Sequence, residues 1–324
     1  MSESNFPQFA HLKVAALAGG VGGAKLVFGL DRVLPPGNLT AIVNTGDDFT
    51  HFGLRICPDL DSVMYSLAGL SNKSYGWGLE GETWNVADAL EAIGAPTWFQ
   101  LGDRDLATHL ERTRLLGLGK SLREVVADFS TRWGIASRVL PMSDDDAPTL
   151  IETKKGVILP FQDYLVREKA QPEVSRILLH GGFEPVPLPD ALLAVQEADL
   201  VLIAPSNPWV SIDPILALGG LRAALKEKIV VAVSPIIQGK AIKGPAAKMF
   251  AELGIEPSSL AVMNHYADLL DLFVYDASEK ACSPFNIPNG IETVQMQTIM
   301  TDEADKIQLA SAILEYFINQ VKAK

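Results

Sequence analysis

Short runs of consecutive apolar residues, each closed by glycine, proline or aspartate, alternate along the chain with stretches whose apolar positions recur at the helical period. Residues 13–18, KVAALA, end in glycines and lead into AKLVFGLDRVL, where Leu26, Leu30 and Val33 share one helical face, so the pattern predicts strand, glycine loop, helix. After the Pro35-Pro36-Gly37-Asn38 turn, LTAIVN predicts a second buried strand that stops at Thr45-Gly46-Asp47-Asp48. Two βα units in succession imply a parallel sheet with right-handed crossovers. Residues 59–70, 82–93, 105–115 and 121–133 then read as helices with few strand signals between them. In TLIETKKGVILPFQDYLV, Lys154-Lys155-Gly156 is a turn between β-branched stretches, which predicts a small antiparallel element.

Four more strand candidates, RILLHG, DLVLIAPS, IVVAVSP and DLFVYD, alternate with periodic stretches at 214–225 and 245–253 and rebuild the parallel sheet. At the carboxyl end Ile307, Ala310, Ile313, Leu314, Phe317 and Val321 fall at helical spacing, as in a helix packed on that sheet. The expected fold is therefore α/β, a Rossmann-like, mainly parallel sheet with helices on both faces and an inserted, largely helical lobe. Residues 11–60 and 175–324 would form the core, and 61–174 the insertion with its antiparallel element.

Composition narrows the function classes. The 324 residues carry 27 Lys plus Arg against 39 Asp plus Glu, a net charge of -12, which argues against non-specific binding to phosphate backbones. Cys57 and Cys282 lie far apart and neither belongs to a CxxC pair, so neither a zinc knuckle nor a disulfide framework is indicated, and a reducing cytoplasm is the simplest setting. No basic region followed by a long apolar run opens the sequence, and no stretch reads as a membrane span.

Candidate chemistry sits at the ends of the expected strands. Gly19-Gly20-Val21-Gly22-Gly23-Ala24-Lys25 lies where a parallel sheet places phosphates. It is not the dinucleotide fingerprint, because Lys25 stands in place of the third glycine, nor a Walker A loop, because Ala24 and Leu26 break GK[ST]. Asp47, Asp48, Asp59 and Asp61 gather near one sheet edge, and such hard oxygen ligands suit Mg²⁺. Asp59 fits a helix N-cap after Pro58 at least as well as a ligand, whereas Asp47 and Asp48 favour a ligand or catalytic role. Ser206-Asn207-Pro208 through Asp213 form a rigid loop suited to a base or phosphate, although Ser211 and Asp213 fit N-caps equally. Lys240 and Lys243 flank a further loop; His109 lies one helical turn from Arg112, a weaker substrate contact, and His11 and His265 have no ligand-like spacing.

Taken together, LAGGVGGAKL, NTGDDF, GLRICPDLDSVMY, GWGLEGET, LGDRDLATHLERT, FQDYLV, PSNPWVSIDPIL and SPIIQGKAIKGPA, in this order up to about Asp276, resemble the 2-phospho-L-lactate transferase family. That resemblance implies transfer of a phospho-acyl group, enolpyruvyl phosphate or 2-phospholactate, from a guanosine diphosphate-linked donor. The acceptor would be the ribityl hydroxyl of the deazaflavin Fo, with release of GMP and with Mg²⁺, in a cytoplasmic homodimer making coenzyme F-420. It places guanosine diphosphate against Gly20, Gly22, Gly23, Lys25, Ser206, Asn207, Pro208 and Ser211, and Fo near Met64, Asn72 and Trp77. Metal falls to Asp47, Asp48 and Asp61, and catalysis to Lys25, Asp48 and Asp61, with the base unassigned between the last two. One departure is Gln238, where a glycine is expected. The rival reading is a YvcK-like regulatory protein that binds a nucleotide sugar without catalysis; its glycine loop reads GGGTG, unlike residues 19–23 here.

Overall fold

The structure, a computed structural model, describes residues 6–72, 77–242, 244–281, 287–288 and 290–321. In chain order the strands are β1 (Val14–Ala18), β2 (Leu39–Val43), β3 (Phe49–His51), β4 (Leu54–Ile56), β5 (Arg138–Pro141), β6 (Leu150–Thr153), β7 (Ile158–Pro160), β8 (Val174–Leu178), β9 (Leu200–Ile203), β10 (Val230–Val233), β11 (Ile236–Ile237), β12 (Lys240–Ala241), β13 (Leu272–Asp276) and β14 (Glu292–Met296). The α-helices are α1 (Gly20–Val33), α2 (Pro58–Leu67), α3 (Asn85–Ala92), α4 (Asp103–Gly117), α5 (Leu122–Arg132), α6 (Pro189–Glu197), α7 (Asp213–Leu216), α8 (Leu221–Leu225), α9 (Ala246–Glu252), α10 (Ser259–His265) and α11 (Glu303–Tyr316).

Seven strands in the order β14-β13-β10-β9-β1-β2-β5 form one sheet, every adjacent pair parallel. Its inner strands are buried on both faces, which is why they read as unbroken apolar runs. Alternate residues feed two cores. Val14, Ala16 and Ala18 join Leu200 and Leu202 under α1, α2, α5 and α11. Ala15 and Leu17 join Val201 and Ile203 against α6 to α10. The C-terminal periodicity is met as expected, with Ala310, Ile313, Leu314 and Phe317 buried in the first core.

Three expectations change. β5, inside the span 61–174 expected to be an insertion, pairs with β2 and ends the main sheet, so that span is not all outside the core. RILLHG does not rebuild the parallel sheet: it forms β8, antiparallel to β6, in a three-stranded sheet with β7. The polar run ETVQM, silent in the sequence pattern, supplies the other edge as β14. Among the described residues no helix is long and apolar enough to cross a membrane.

Candidate active site

Connections leave β1 toward β2 and β5 on one side and reach β9, β10, β13 and β14 on the other. The carboxyl ends of β1 and β9 therefore flank the switch point where open α/β sheets bind ligands. The chain segments leaving these two strands are clasped together: the Gly19 N–H donates to Ser206 Oγ at 3.3 Å, and that hydroxyl donates to the Gly19 carbonyl at 2.7 Å. The glycines are not a loop before α1 but its first turn. No side chain caps this end, and Gly20, Val21 and Gly22 line a cavity, so helix N–H groups and the positive end of the dipole face the open space.

Why glycine is needed differs along the run. Gly20 has φ +62, the left-handed region, while a Cβ on Gly22 would lie 2.3 Å from the Pro205 carbonyl oxygen. Gly23 faces away from the cavity, where a Cβ would meet Ser206 Oγ at 2.7 Å; its role is packing, contrary to the expected diphosphate contact.

The cavity has a volume of about 800 Å³ and runs from this turn past Asp47, Asp59, Asp61 and Asp105 to a wall that includes Trp77, Trp98, Phe99 and Phe161. Lys25, Ser206, Asn207 and Ser211 also line it. Lys25 Nζ donates to the Met300 carbonyl, in the segment between β14 and α11. Asn207 is partly spent on structure, since its Oδ1 accepts the Trp209 N–H at 3.1 Å and caps the π-helical turn Pro208–Ile212.

The four cavity carboxylates are not equivalent. Asn44 accepts the Gly46 N–H through its oxygen at 2.8 Å, which fixes its amide nitrogen to donate to Asp47 Oδ1 at 3.1 Å and Asp59 Oδ2 at 2.9 Å. Burial, then the Asp59 charge, pushes Asp47 well above the usual carboxylate range; burial likewise pushes Asp59 up to about 6, with Asn44 and the Gly20 N–H offsetting part. Among the described residues neither carboxylate has an ion-pair partner within 4.0 Å. Asp59 is not a cap: Cys57 is the N-cap residue, Asp59 is the second helical residue, and its carboxylate abuts Gly19.

Asp48 and Asp61, by contrast, are already spoken for. Asp48 does not line the cavity; it pairs with Arg55 at 3.4 Å, and burial outweighs that cation to leave it at about 7. Asp61 is gripped through both oxygens by Arg112, whose side chain is wholly buried. Burial raises Asp61 and Arg112 opposes the rise. An uncompensated buried carboxylate pair is a better candidate for a cation than carboxylates neutralised by guanidinium groups; of the expected set Asp47, Asp48 and Asp61, only Asp47 has no guanidinium partner among the described residues, and Asp59 stands beside it.

Other expected contacts also move. Met64 lies in the first hydrophobic core and Pro208 is buried, and neither lines the cavity, nor does Asn72. Residues 73–76, Lys243 and Cys282 fall outside the described residues. Gln238 sits at the tip of the β11–β12 hairpin with φ +50, so the expected glycine is indeed what the backbone favours, but the position is not part of the cavity wall. Sequence reasoning missed Trp98 and Phe99, which lie in none of the quoted motifs, passed over Asp105 although it lies within LGDRDLATHLERT, and demoted Asp59.

Residues 14–311 match the family described as 2-phospho-L-lactate transferase CofD. The chain belongs to that family. Among CofD-like relatives, phosphoenolpyruvate transferase of Thermobifida fusca is 40% identical over 94% of this chain and 97% of its own. The 2-phospho-L-lactate transferase of Methanosarcina mazei is 38% identical over 93% and 99%. A UPF0052 family protein of Bacillus halodurans has the same fold, with a TM-score of 0.62 at 17% identity, covering 94% of this chain and 99% of that one. CofD membership makes the protein a transferase, and the cavity at the β1–β9 switch point is its candidate active site.

Proposed function

We propose that the protein transfers enolpyruvyl phosphate or 2-phospholactate from a guanosine diphosphate-linked donor to the ribityl hydroxyl of the deazaflavin Fo, releasing GMP, in coenzyme F-420 formation. The observation that carries this reading is the continuity of one cavity from the α1 N-terminus, past the Asp47 and Asp59 pair, to the aromatic wall at Trp98 and Phe99. The relatives named as phosphoenolpyruvate and 2-phospho-L-lactate transferases support the nature of the transferred group. The cysteine pattern, Cys57 and Cys282 in no CxxC pair, supports a reducing cytoplasm, and the family resemblance supports a homodimer.

In this reading the donor's diphosphate rests on the N–H groups of the Gly20–Gly22 turn, with guanosine toward Ser206 and Ser211. Fo lies along Trp77, Trp98, Phe99 and Phe161, whose apolar faces suit a flat heterocycle. Asp47 and Asp59 hold Mg²⁺, which supplies positive charge to the phosphate oxygens. The fit is electrostatic: four carboxylates line a cavity that must admit an anion, and two of them have no ion-pair partner among the described residues. Lys25 lies beside the same turn as a further positive group, and the rest of the task is alignment.

Titration calorimetry with Fo, GDP, ADP and a nucleotide sugar, in Mg²⁺, separates this reading from a regulatory binder. Binding of Fo and preference for GDP over ADP are expected. Tight binding of the nucleotide sugar with no uptake of Fo would replace the transferase reading with the regulatory one.

A further inference from the structure

The cavity wall holds a carboxylate that was not among the expected base candidates Asp48 and Asp61. Asp105, the third residue of α4, lines the same cavity as Asp61 but is differently engaged. Tyr65 Oη donates to its Oδ1 at 2.6 Å. His109 Nε2 stands 3.4 Å from the same oxygen, a loose contact. The Arg112 guanidinium lies 3.1 Å from His109 Nδ1, and because a guanidinium only donates, Nδ1 accepts and the ring proton sits on Nε2, facing Asp105. Both side-chain contacts therefore fall on Oδ1. Among the described residues no donor is bound to Oδ2, and the Asp105 side chain is 12% exposed at the cavity wall.

The other cavity carboxylates are excluded as proton acceptors by their partners. Asp61 has both oxygens on Arg112, while Asp47 and Asp59 share the Asn44 amide and the proposed cation. Asp61, Asp105 and His109 bring possible metal-ligating atoms within 4.8 Å of one another. The buried Arg112 already fills that cluster with positive charge, so it is a proton-handling group and not a second metal centre.

Resting on the transferase reading above, we propose that Asp105 Oδ2 takes the proton of the attacking hydroxyl, with Tyr65 and His109 positioning the carboxylate through Oδ1. The hydroxyl oxygen forms a bond to the transferred phosphorus. The bond from that phosphorus to the bridging oxygen breaks, its electron pair leaves with the nucleoside monophosphate, and the hydroxyl proton ends on Asp105. Groups facing Asp105 are Tyr65 and Asp61 from α2, His109 and Arg112 from α4, and Glu82, whose carboxylate accepts the Asp105 N–H at 2.7 Å. Burial pushes Asp105 up, but His109, Tyr65 and Arg112 together hold it below the usual range, so it is an anion ready to accept.

The test compares wild type, Asp105→Asn and Tyr65→Phe in steady-state turnover across pH, with Fo binding followed by fluorescence and folding by thermal melting. Asp105→Asn should bind Fo as wild type does and lose roughly a hundredfold or more in kcat. Tyr65→Phe removes a donor to Oδ1 and should move the acidic limb of kcat to higher pH, an effect a merely structural tyrosine would not produce. A folded Asp105→Asn protein with kcat within about threefold of wild type overturns the proposal while leaving the transferase reading intact. A wild-type protein that turns over no donor overturns both. Should Asp105→Asn not fold, an unmoved acidic limb in Tyr65→Phe overturns it.

Discussion

Four aspartates sit within fifteen positions of one another in the sequence, and their neighbours sort them. Asp48 and Asp61 meet Arg55 and Arg112, while Asp47 and Asp59 meet only neutral donors among the described residues: the Asn44 amide on both, Gln162 on Asp47 and the Gly20 N–H on Asp59. Asp59→Asn should keep the fold, since the side chain is nearly isosteric, while lowering Mg²⁺ affinity and cutting turnover roughly a hundredfold. Wild-type Mg²⁺ dependence in that variant would return Asp59 to a structural role. Arg112→Met makes the complementary case: with no exposure at Arg112, the change strands Asp61 as an uncompensated buried charge and should cost about 3 kcal/mol or more of unfolding free energy in a denaturant titration. The sequence gathered these aspartates in one place but could not show their partners, because Arg112 approaches from α4, 51 residues away from Asp61.

At the scale of elements, long apolar strands and their order were legible, since strands buried on both faces leave an unmistakable run. Edges were not. β14 is only partly buried and reads as polar, β5 is four residues long amid helices, and RILLHG shows a strand's composition without showing that β6 is its partner. Close approaches were invisible for the same reason. Gly29, in the middle of α1, looks like a helix defect, yet a Cβ there would lie 2.1 Å from the Lys306 carbonyl oxygen of α11. Gly29→Ala gains about 1 kcal/mol of helix propensity but forces two packed helices apart, a cost of about 1–3 kcal/mol, so the thermal midpoint should fall. A raised midpoint would show that α11 yields freely. Because the segment before α11 holds Lys25 through Met300, some loss of activity should accompany the fall.

For the molecule as a whole, an acidic chain with an acidic cavity would repel the anionic donor proposed above, and the proposed cation would relieve that conflict. In the folded chain Asp59 holds its proton up to about 6 instead of 3.8, and Asp47 shifts the same way. A group whose folded value is raised binds more protons folded than unfolded, so the metal-free protein loses stability as pH climbs through that window. At the proposed site Mg²⁺ would replace those protons. It should raise the melting midpoint more at about pH 7.5 than at about pH 5, and a shift independent of pH would contradict the Asp47 and Asp59 assignment.

The most direct test of the whole account is a single turnover assay: purified protein, Fo, Mg²⁺ and a guanylyl-linked phospho-acid donor, with GMP and deazaflavin products separated by chromatography. The account predicts GMP released in equal amount with a new, more acidic deazaflavin, from the enolpyruvyl or the lactyl donor. Fo recovered unchanged and no GMP formed from either donor would contradict it.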